Sequence, residues 1–370
     1  MKQDSIVIVG GGLAGLIAAI HLKNNNYDVI VIEKNEFPKH KVCGEYISNE
    51  VLPYLKSLGL DISSLGPKHI DKLFFSVVSG KSLNSTLPLG GFGISRYQLD
   101  QYLYKEALSR GCQIVKETVS DIEFLDSKFK ITTNLNTYTA PIVVGAFGKR
   151  SNLDIKFKRP FIQKKSHWLG VKAHYRVDFP DDLVGLHHFA GGYCGVSKVE
   201  GNLVNICYLA NYETFKLHKT IEEYQENVVC KNPNLKDIFK KAVIQFEKPL
   251  TISQVSFEKK KCVENHILMI GDTAGLIHPL CGNGMAMAIH SAKLAAENII
   301  LFLEKSIDRD TLESKYSKDW NKNFKKRLQM GRILGQLLQY EKTAQAVLKI
   351  LILFPALLPI IIKKTHGKPI

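Results

Sequence analysis

The chain opens with a regular alternation of apolar and mixed segments. Ile6 to Val9 is an unbroken apolar run, and the segment from about Gly12 to Asn24 repeats apolar residues at helical spacing. A second apolar run, Val29 to Ile32, follows directly. Because short continuous apolar runs are typical of buried parallel strands, this pattern predicts a strand–helix–strand unit.

Glycines occupy the turn between the first strand and the helix. Gly10, Gly12 and Gly15 form the spacing G-x-G-x-x-G, with Leu13 and Ala14 inside it. In the dinucleotide fingerprint the first glycine allows a tight turn, the second lets the backbone approach a pyrophosphate, and the third lets helix and strand pack closely. The helix N-terminus would direct its unpaired N–H groups at the phosphates. We therefore expect all five residues to contact a dinucleotide.

An acidic residue ends the second predicted strand. Glu33 lies eighteen residues after Gly15, and Lys34 follows it. A carboxylate at this point accepts hydrogen bonds from a ribose 2′-hydroxyl and repels a 2′-phosphate. The predicted ligand is therefore FAD or NAD rather than NADP.

A second glycine-rich element lies far along the chain. His266 to Ile270 is predicted to be a short buried strand that leaves through Gly271 and Asp272, and Ala286 to Leu303 is predicted to be a long helix. The intervening loop contains Pro279, which fixes the backbone, and glycines that remove side chains. A flat aromatic ligand could lie against such a backbone.

The middle of the chain shows alternating polar and apolar residues. Residues 73–87 and 167–209 carry the aromatic and β-branched content of antiparallel strands, with a hairpin around Glu200-Gly201-Asn202. We expect an α/β fold in which a Rossmann-like cofactor domain is interleaved with an antiparallel substrate domain and followed by a helical extension. The expected boundaries are 1–71, 96–160 and 262–303 for the cofactor domain, 72–95 and 161–261 for the substrate domain, and 304–370 for the extension.

The extension contains two distinct apolar patterns. Apolar residues recur every four positions from Leu312 to Leu328 among many lysines, which predicts a helix with a core-facing stripe. Ile350 to Ile362 is apolar but interrupted by Pro355 and Pro359, and it is too short to span a bilayer. Two interpretations remain open for this segment: a helix and turn that cover a pocket, or shallow insertion into a membrane interface.

Composition narrows the class of protein. The hydrophobic content of 45% supports real cores, and the net charge of +15 favours anionic partners. Seven cysteines without a C-x-x-C pair indicate neither a disulfide framework nor a zinc site, so we expect a cytoplasmic protein, with membrane association as the second possibility. No cluster of His, Cys and carboxylates has metal-ligand spacing, so no metal is expected.

Several motifs together resemble the geranylgeranyl reductase family of flavoproteins, within the p-hydroxybenzoate hydroxylase fold group. The resemblance implies that the first glycine motif binds the FAD pyrophosphate, that Glu33 binds the adenosine ribose and that Asp272 binds a ribityl hydroxyl. It also places the loop from Pro279 to Met285 beside the pyrimidine side of the flavin. The cofactor residues implied in this second element are Gly271, Asp272, Pro279, Gly282, Asn283, Gly284 and Met285.

Two more segments carry the resemblance. Lys41-Val42-Cys43-Gly44-Glu45 is similar to a C-G-G-type stretch, with Glu45 where a second glycine is often found, and it implies that Lys41 and Cys43 lie near the flavin. Cys43 is a catalytic candidate, although a small buried hydrophobe is the equal alternative. Ser95 and Gln98 predict a capping box that starts a helix, and the resemblance directs Arg96 to FAD rather than to a surface salt bridge.

One segment departs from the hydroxylase branch. The chain has Phe147 in Gly145-Ala146-Phe147-Gly148, where many relatives carry an acid, which argues against NADPH-driven hydroxylation but leaves FAD binding intact. No second dinucleotide motif is present, so NAD(P)H is expected only as a transient electron donor. His278 is a candidate acid or base by its position alone.

The resulting hypothesis is an FAD-dependent oxidoreductase that exchanges hydride between flavin N5 and a small apolar substrate, prenyl, lipid-like or polyketide-like. The alternative is an FAD-dependent aromatic monooxygenase. A lipid carrier would not need a preserved site for a redox ring. Nucleic acid binding is not expected, because the aromatic residues of the basic helix are better explained by burial.

Overall fold

The computed structural model describes residues 5–370, which form three sheets and eleven α-helices. In chain order the strands are β1 (Ile6–Val9), β2 (Val29–Glu33), β3 (Tyr46–Ser48), β4 (Lys68–Ser76), β5 (Ser82–Gly93), β6 (Gln113–Lys116), β7 (Val119–Leu125), β8 (Lys128–Thr133), β9 (Thr137–Ala140), β10 (Val143–Gly145), β11 (Trp168–Arg176), β12 (Leu183–Phe189), β13 (Gly192–Lys198), β14 (Val204–Asn211), β15 (Val243–Ile244), β16 (Leu250–Ile252), β17 (Val263–Glu264) and β18 (Ile267–Met269).

The two longest helices lie in the last quarter of the chain. In chain order the helices are α1 (Leu13–Asn24), α2 (Leu52–Ser57), α3 (Arg96–Ser109), α4 (Asn152–Lys156), α5 (Tyr212–Phe215), α6 (Ile221–Asn227), α7 (Pro233–Lys241), α8 (Gly284–Leu303), α9 (Arg309–Leu337), α10 (Glu341–Leu353) and α11 (Leu357–Thr365).

The first sheet is the predicted cofactor-binding scaffold. Its strand order is β17-β18-β10-β1-β2-β6, and the five strands from β18 to β6 run parallel. Every residue of β1 is buried, and α1 packs between this sheet and α8. A strand covered on both faces needs apolar side chains on both, which explains the unbroken run from Ile6 to Val9. The predicted α/β fold with a Rossmann-like domain is confirmed.

The second sheet differs from the expectation in one respect. Its order is β15-β11-β14-β13-β12-β4-β5-β3, and the expected hairpin of β13 and β14 is antiparallel. However, β12 pairs with β4 in parallel, so the sheet is mixed rather than purely antiparallel. More than a hundred residues of chain separate these two strands, and a crossover of that length allows either direction. Alternation within each strand carries no information on that choice.

Two further differences concern the expected boundaries. The large sheet takes β3 from within residues 1–71, and β4 begins at Lys68 rather than near residue 72. Residues 119–140 form a separate three-stranded sheet, β7-β8-β9, inside the segment expected to belong wholly to the cofactor domain. The assignment of these pieces to domains stays a prediction.

The helical extension packs along the core with the predicted stripe. Leu312, Tyr316, Trp320 and Phe324 of α9 are buried, and the Tyr316 hydroxyl donates a 2.6 Å hydrogen bond to the carbonyl of Met269. The helix α8 is long and apolar enough to cross a membrane, yet 56% of its apolar window is buried inside the fold. The helices α10 and α11 are long and apolar enough to cross a membrane only when they are taken together, and their axes are bent by 117° at the break between them.

A buried arginine joins the segment after β10 to the turn after β18. Arg159 is 1% exposed, and its guanidinium donates to the carboxylates of Asp154 and Glu264, both at 2.8 Å. It also donates to the carbonyl of Thr273 at 2.9 Å. The segment after β10, the strand β17 and the turn after β18 are therefore held by one side chain.

Replacing Arg159 with methionine should destabilise the fold strongly. Arg159→Met leaves the buried carboxylate of Asp154 without its cation, and breaking such a pair costs about 3–5 kcal/mol. Urea denaturation would measure the loss. Arg176→Met, at an exposed position, is the matched control and should change the free energy of unfolding by less than about 0.5 kcal/mol. Equal stability of the two variants would contradict the role assigned to Arg159.

Candidate functional site

One large cavity opens at the carboxyl ends of the parallel strands. It has a volume of about 820 Å³ and lies between the parallel sheet, the large sheet and the C-terminal helices. Residues directly after β1, β2, β6, β10 and β18 all line it. This edge is where open parallel sheets bind their ligands, because the loops that leave the strands converge there.

Most of the residues proposed from the sequence line this cavity. They come from both glycine-rich elements and from the segments between them: Gly10, Gly12, Leu13, Ala14, Glu33, Lys34, Lys41, Cys43, Arg96, Gly271, Asp272, Pro279, Gly282, Gly284 and Met285. Gly15, Asn283 and His278 are not part of its lining. Folding thus brings together elements that are more than 250 residues apart.

The three glycines of the first turn have different surroundings. Gly10 has φ = +110°, and a Cβ there would lie 2.3 Å from the carbonyl oxygen of Ala146. A Cβ on Gly15 would lie 2.0 Å from the carbonyl oxygen of Gly10. By contrast, a Cβ on Gly12 would meet nothing closer than 3.8 Å. Gly10 and Gly15 are thus required by the protein's own packing, whereas Gly12 faces open space in which a ligand fits.

Two helix N-termini open into this cavity without a side-chain cap. Gly12, which precedes α1, has no side chain that could cap the helix, and the side chain of Asn283, which precedes α8, does not hydrogen-bond the first turn. The first N–H groups of a helix have no partner within the helix, and the helix dipole adds positive potential there. The cavity therefore offers two anion-binding points, one in each of the two glycine-rich elements.

Cations reinforce the first of these points. The side chains of Lys41 and Arg96 both lie close to Gly12. Asp100, which is 1% exposed, accepts two hydrogen bonds from Arg96, at 2.7 and 2.8 Å, and pairs with Lys41 at 3.0 Å. Burial would raise the pKa of Asp100, but the charges of Arg96 and Lys41 lower it below its usual value. Two cations against one carboxylate leave a net positive charge beside the α1 N-terminus.

The start of the helix with Arg96 is built differently from the expected capping box. The Ser95 hydroxyl accepts a hydrogen bond from the Gln98 N–H at 3.1 Å, as predicted. The second bond of a capping box, from the Ser95 N–H to the Gln98 side chain, is not formed, so this part of the prediction is wrong. The backbone N–H and the hydroxyl of Ser95 both donate to Glu200 instead. Glu200 lies in the hairpin turn of the large sheet, which thereby fixes the position of α3.

Glu33 ends β2 at the cavity wall. Its carboxylate accepts hydrogen bonds from the N–H of Gly11 at 2.8 Å and from the N–H of Asn35 at 2.9 Å. These two bonds hold the side chain over the glycine turn. A carboxylate fixed there is an acceptor for a ribose hydroxyl and disfavours an added phosphate.

The turn that carries Asp272 is tied to the segment after β10. The N–H of Gly148 donates to the Thr273 hydroxyl at 2.8 Å, and the ammonium of Lys260 donates to the carbonyls of Lys149 and Asp272, both at 2.8 Å. Burial lowers the pKa of Lys260 to about 8. Lys260 contacts only the backbone carbonyl of Asp272, and Asp272 lines the cavity.

Asn283, expected among the cofactor contacts, instead anchors the loop before α8 to Glu50. It is fully buried, its amide donates to the carboxylate of Glu50 at 3.1 Å, and Arg327 donates to that carboxylate at 3.0 Å. The N–H of Gly367, near the end of the chain, donates to Glu50 as well, at 2.6 Å. The loop before α8 is thus locked to α9 and to the C-terminal tail.

A buried ionic cluster beside Cys43 was missed from the sequence. The carboxylate of Glu45 accepts hydrogen bonds from Lys172 at 2.5 Å and His174 at 2.6 Å, and all three residues are nearly inaccessible. Burial would raise the pKa of Glu45, but the hydrogen bond of His174 and the charge of Lys172 lower it. Glu45 has φ = +55°, a left-handed conformation that glycine adopts freely. The ion pairs hold the strained segment in place, which explains an acid at this position.

The two catalytic candidates lie in different surroundings. Cys43 lines the cavity, where the N–H of Glu45 contacts its sulfur at 3.5 Å. His278 lies among Trp168, Tyr193 and Phe257, and neither ring nitrogen has a hydrogen-bond partner in the described chain. Burial lowers the pKa of His278 to about 4. Its position favours a packing role for the neutral ring over acid–base chemistry.

Comparison with known proteins agrees with this geometry. A family model described as an FAD binding domain matches residues 3–328. The chain belongs to this FAD-binding family. Within the flavoprotein fold, the α1 N-terminus with Lys41 and Arg96 fits a diphosphate, and the uncapped α8 N-terminus fits an electron-rich ring edge.

Three relatives define the neighbourhood of this flavoprotein. The digeranylgeranylglycerophospholipid reductase of Methanocaldococcus jannaschii is 26% identical, over 79% of this chain and 75% of the relative. The flavin-dependent brominase Bmp2 has a TM-score of 0.80 at 18% identity, over 97% and 92% of the two chains. A geranylgeranyl bacteriochlorophyll reductase-like protein from Thermoplasma acidophilum has a TM-score of 0.75 at 18% identity, over 94% and 91%. The resemblance to geranylgeranyl reductases is confirmed, and the two structures establish the fold alone.

Substitutions at Gly12 and Gly15 should separate ligand binding from folding. Gly12→Ala has room in the protein but fills the space for a phosphate, so FAD should bind at least about tenfold more weakly while the apoprotein keeps its stability. Gly15→Ala is the contrast, since its Cβ meets the Gly10 carbonyl and should destabilise the apoprotein by about 1–3 kcal/mol or more. Flavin titration and thermal unfolding measure the two effects. Unchanged FAD affinity in Gly12→Ala would contradict the phosphate assignment.

His278 should contribute to the acid sensitivity of the fold rather than to catalysis. Its folded pKa of about 4 lies below the ordinary 6.5, so the neutral ring favours the folded state above pH 6.5. That contribution is lost as the pH falls from 6.5 towards 4. His278→Leu should therefore flatten the decline of unfolding free energy over this range and keep bound flavin.

Urea denaturation at a series of pH values measures this slope. His69→Leu is the control, because its side chain is 69% exposed. A wild-type slope in His278→Leu, or loss of flavin turnover with normal flavin binding, would argue against a packing role.

Proposed function

We propose that this FAD-dependent oxidoreductase transfers hydride between flavin N5 and an apolar substrate with a prenyl-like chain. The observation that carries the proposal is the part of the cavity away from the glycine turns, which we call the apolar chamber. Its lining is mostly aliphatic or aromatic, and these apolar residues come from the large sheet and the C-terminal helices: Leu73, Phe75, Leu87, Val184, Leu186, Val196, Leu334, Leu338, Val347, Leu351, Leu358, Ile361 and Ile362.

The chamber suits a chain of hydrocarbon better than a polar metabolite. Apolar side chains offer no hydrogen bonds to a polar substrate, and burying an unpaired polar group is unfavourable. Each methylene of a hydrocarbon substrate would gain about 0.8 kcal/mol on leaving water. The walls would therefore select a substrate with a long apolar chain.

The remaining residues bind the cofactor and tune the site. Bound FAD would supply reversible hydride transfer at N5. The N–H groups of α1, with Lys41 and Arg96, would hold the diphosphate, and Glu33 would hold the ribose. The N–H groups that open α8 would stabilise the negative charge that the ring gains on reduction.

Reduction of a carbon–carbon double bond also needs one proton for each hydride. Cys43 is our candidate for the donor, because its thiol lies on the cavity wall next to the Glu45 cluster. The thiol proton would pass to the substrate carbon, and water would restore it. Electrons would reach the flavin from NADH or NADPH bound only transiently.

The name of one relative supports this proposal. A relative named digeranylgeranylglycerophospholipid reductase favours hydride transfer to a lipid-like substrate. A structural neighbour named as a flavin-dependent brominase has the same fold, so the fold alone does not choose between hydride transfer and other flavin reactions. The outcome of an oxygen-free reaction separates hydride transfer from aromatic hydroxylation.

Reduced holoprotein should be reoxidised by a geranylgeranyl lipid in the absence of oxygen. The expected product is heavier by two hydrogens for each double bond reduced, and the flavin absorbance should return in proportion. Rapid-mixing absorbance and mass spectrometry measure these two changes. Reoxidation only after oxygen is admitted, with an oxygen atom in the product, would support the monooxygenase instead.

Val184→Trp tests the apolar chamber directly. Val184 is a partly exposed residue of the chamber wall, so a larger side chain should shorten the space and slow reoxidation by long-chain lipids at least about tenfold, with FAD binding unchanged. Val243→Trp, at a residue that is 63% exposed, is the matched control. Equal rates for both variants would remove the chamber from substrate binding.

A further inference from the structure

The turn between α10 and α11 exposes a continuous apolar surface. Six consecutive apolar residues, 352–357, are all exposed, and Leu353 and Phe354 are 72% and 62% accessible. Ile350 and Ile360 extend the same surface on the two helices, with 50% and 49% of each accessible. Single exposed hydrophobic residues are ordinary, but a contiguous apolar patch marks an interaction site. We call residues 350–360 the apolar tip.

The opposite faces of the same two helices form part of the cavity. Val347 and Leu351 of α10 and Leu358 and Ile361 of α11 all line the apolar chamber. Leu351 and Leu358 lie immediately on either side of the six exposed residues. Only the helices α10 and α11 would therefore separate a ligand at the tip from the chamber.

The charge around the tip selects the partner. Residues 342–370 contain five lysines, at positions 342, 349, 363, 364 and 368, and no aspartate or glutamate. Lys349, Lys363 and Lys364 flank the tip and are exposed. An apolar tip with a basic border matches a bilayer with anionic headgroups, to which each nearby lysine adds attraction.

The dimensions allow insertion but not a crossing. A span needs about 20 consecutive helical residues, and α10 and α11 have 13 and 9 residues with a bend of 117° between them. The last residues of the chain are held in place, because the N–H groups of Gly367 and Ile370 donate to Glu50. Glu50 in turn contacts Asn283 in the loop before α8. The tip is thus held at a set place relative to the cavity.

We propose that the apolar tip inserts shallowly into the surface of an anionic lipid bilayer and that lipid substrate enters the apolar chamber between α10 and α11. The entry route rests on the proposed function, whereas insertion of the tip does not. Its chemistry is that of an interfacial helix pair, with apolar side chains in the acyl boundary and lysines at the phosphates.

Vesicle flotation of the holoprotein tests insertion. We expect binding to vesicles that contain phosphatidylglycerol in phosphatidylcholine, and weaker binding to phosphatidylcholine alone. Leu353→Asp/Phe354→Asp should weaken binding at least about tenfold. The control is Leu135→Asp/Leu217→Asp, because these leucines are 69% and 76% exposed elsewhere on the surface. Retained flavin absorbance would show that each variant is folded.

Charge reversal tests the lysine border. Lys363→Glu/Lys364→Glu should reduce binding to the anionic vesicles about tenfold or more. Lys240→Glu/Lys241→Glu is the matched control, since both pairs are exposed and lie in the last turn of a helix. Equal losses in the two pairs would point to nonspecific charge and overturn the assignment.

Three further results would overturn insertion of the tip. The holoprotein could fail to float with either vesicle, the tip variant could bind like wild type, or the tip variant could convert a wild-type dimer to a monomer in sedimentation velocity without any vesicle binding. The last result would assign the tip to a second copy of the chain.

The two proposals fail separately. If the holoprotein floats with vesicles but no prenyl lipid reoxidises its reduced flavin, the proposed function is wrong and the proposal of membrane insertion stands. Reoxidation by a prenyl lipid in detergent, together with absent vesicle binding, would remove the membrane surface alone. The entry route itself is supported if the tip variant keeps its rate in detergent but loses it with lipid in vesicles, and it is overturned if both rates are kept.

Discussion

The cavity depends on the backbone N–H groups at the start of two helices, which no side chain caps. The helices α1 and α8 both begin at the cavity, and neither has a side-chain cap. Unpaired donors of this kind are unfavourable unless water or a ligand satisfies them. A molecule with a diphosphate at one end and an electron-rich ring at the other would meet both sets of donors, so two distant glycine-rich segments can serve one cofactor.

Buried charge keeps these donors in position. Arg159 joins the segment after β10 to the turn that carries Asp272, and Glu50 joins the loop before α8 to α9 and the tail. Glu45 joins the Cys43 segment to the large sheet through Lys172. Each cluster links residues far apart in sequence, and a buried ion pair tolerates little displacement of its partners. The loops around the cavity therefore keep their shape although they are irregular.

The tail connects this rigid site with the surroundings of the protein. One face of α10 and α11 encloses the apolar chamber, and the other face carries the apolar tip. Glu50 accepts hydrogen bonds from Asn283, in the loop before α8, and from the backbone of Gly367. The tail and the loop before α8 are consequently linked through one carboxylate.

The sequence by itself determined the elements whose signal is local. Four such signals are short-range patterns along the chain: the unbroken apolar strands, the glycine spacing, the position of Glu33 and the apolar stripe of α9. They predicted the parallel sheet, the cofactor and most of the cavity lining. Only the tertiary structure decided the parallel pairing of β12 with β4, the bond of Ser95 to Glu200, and the burial of Asn283 and His278 away from the cavity. The same holds for the cluster of Glu45, Lys172 and His174, in which Glu45 lies 127 and 129 residues from its two partners. Partners at such separations are chosen by the packing of whole sheets, and spacing along the chain holds no record of that choice.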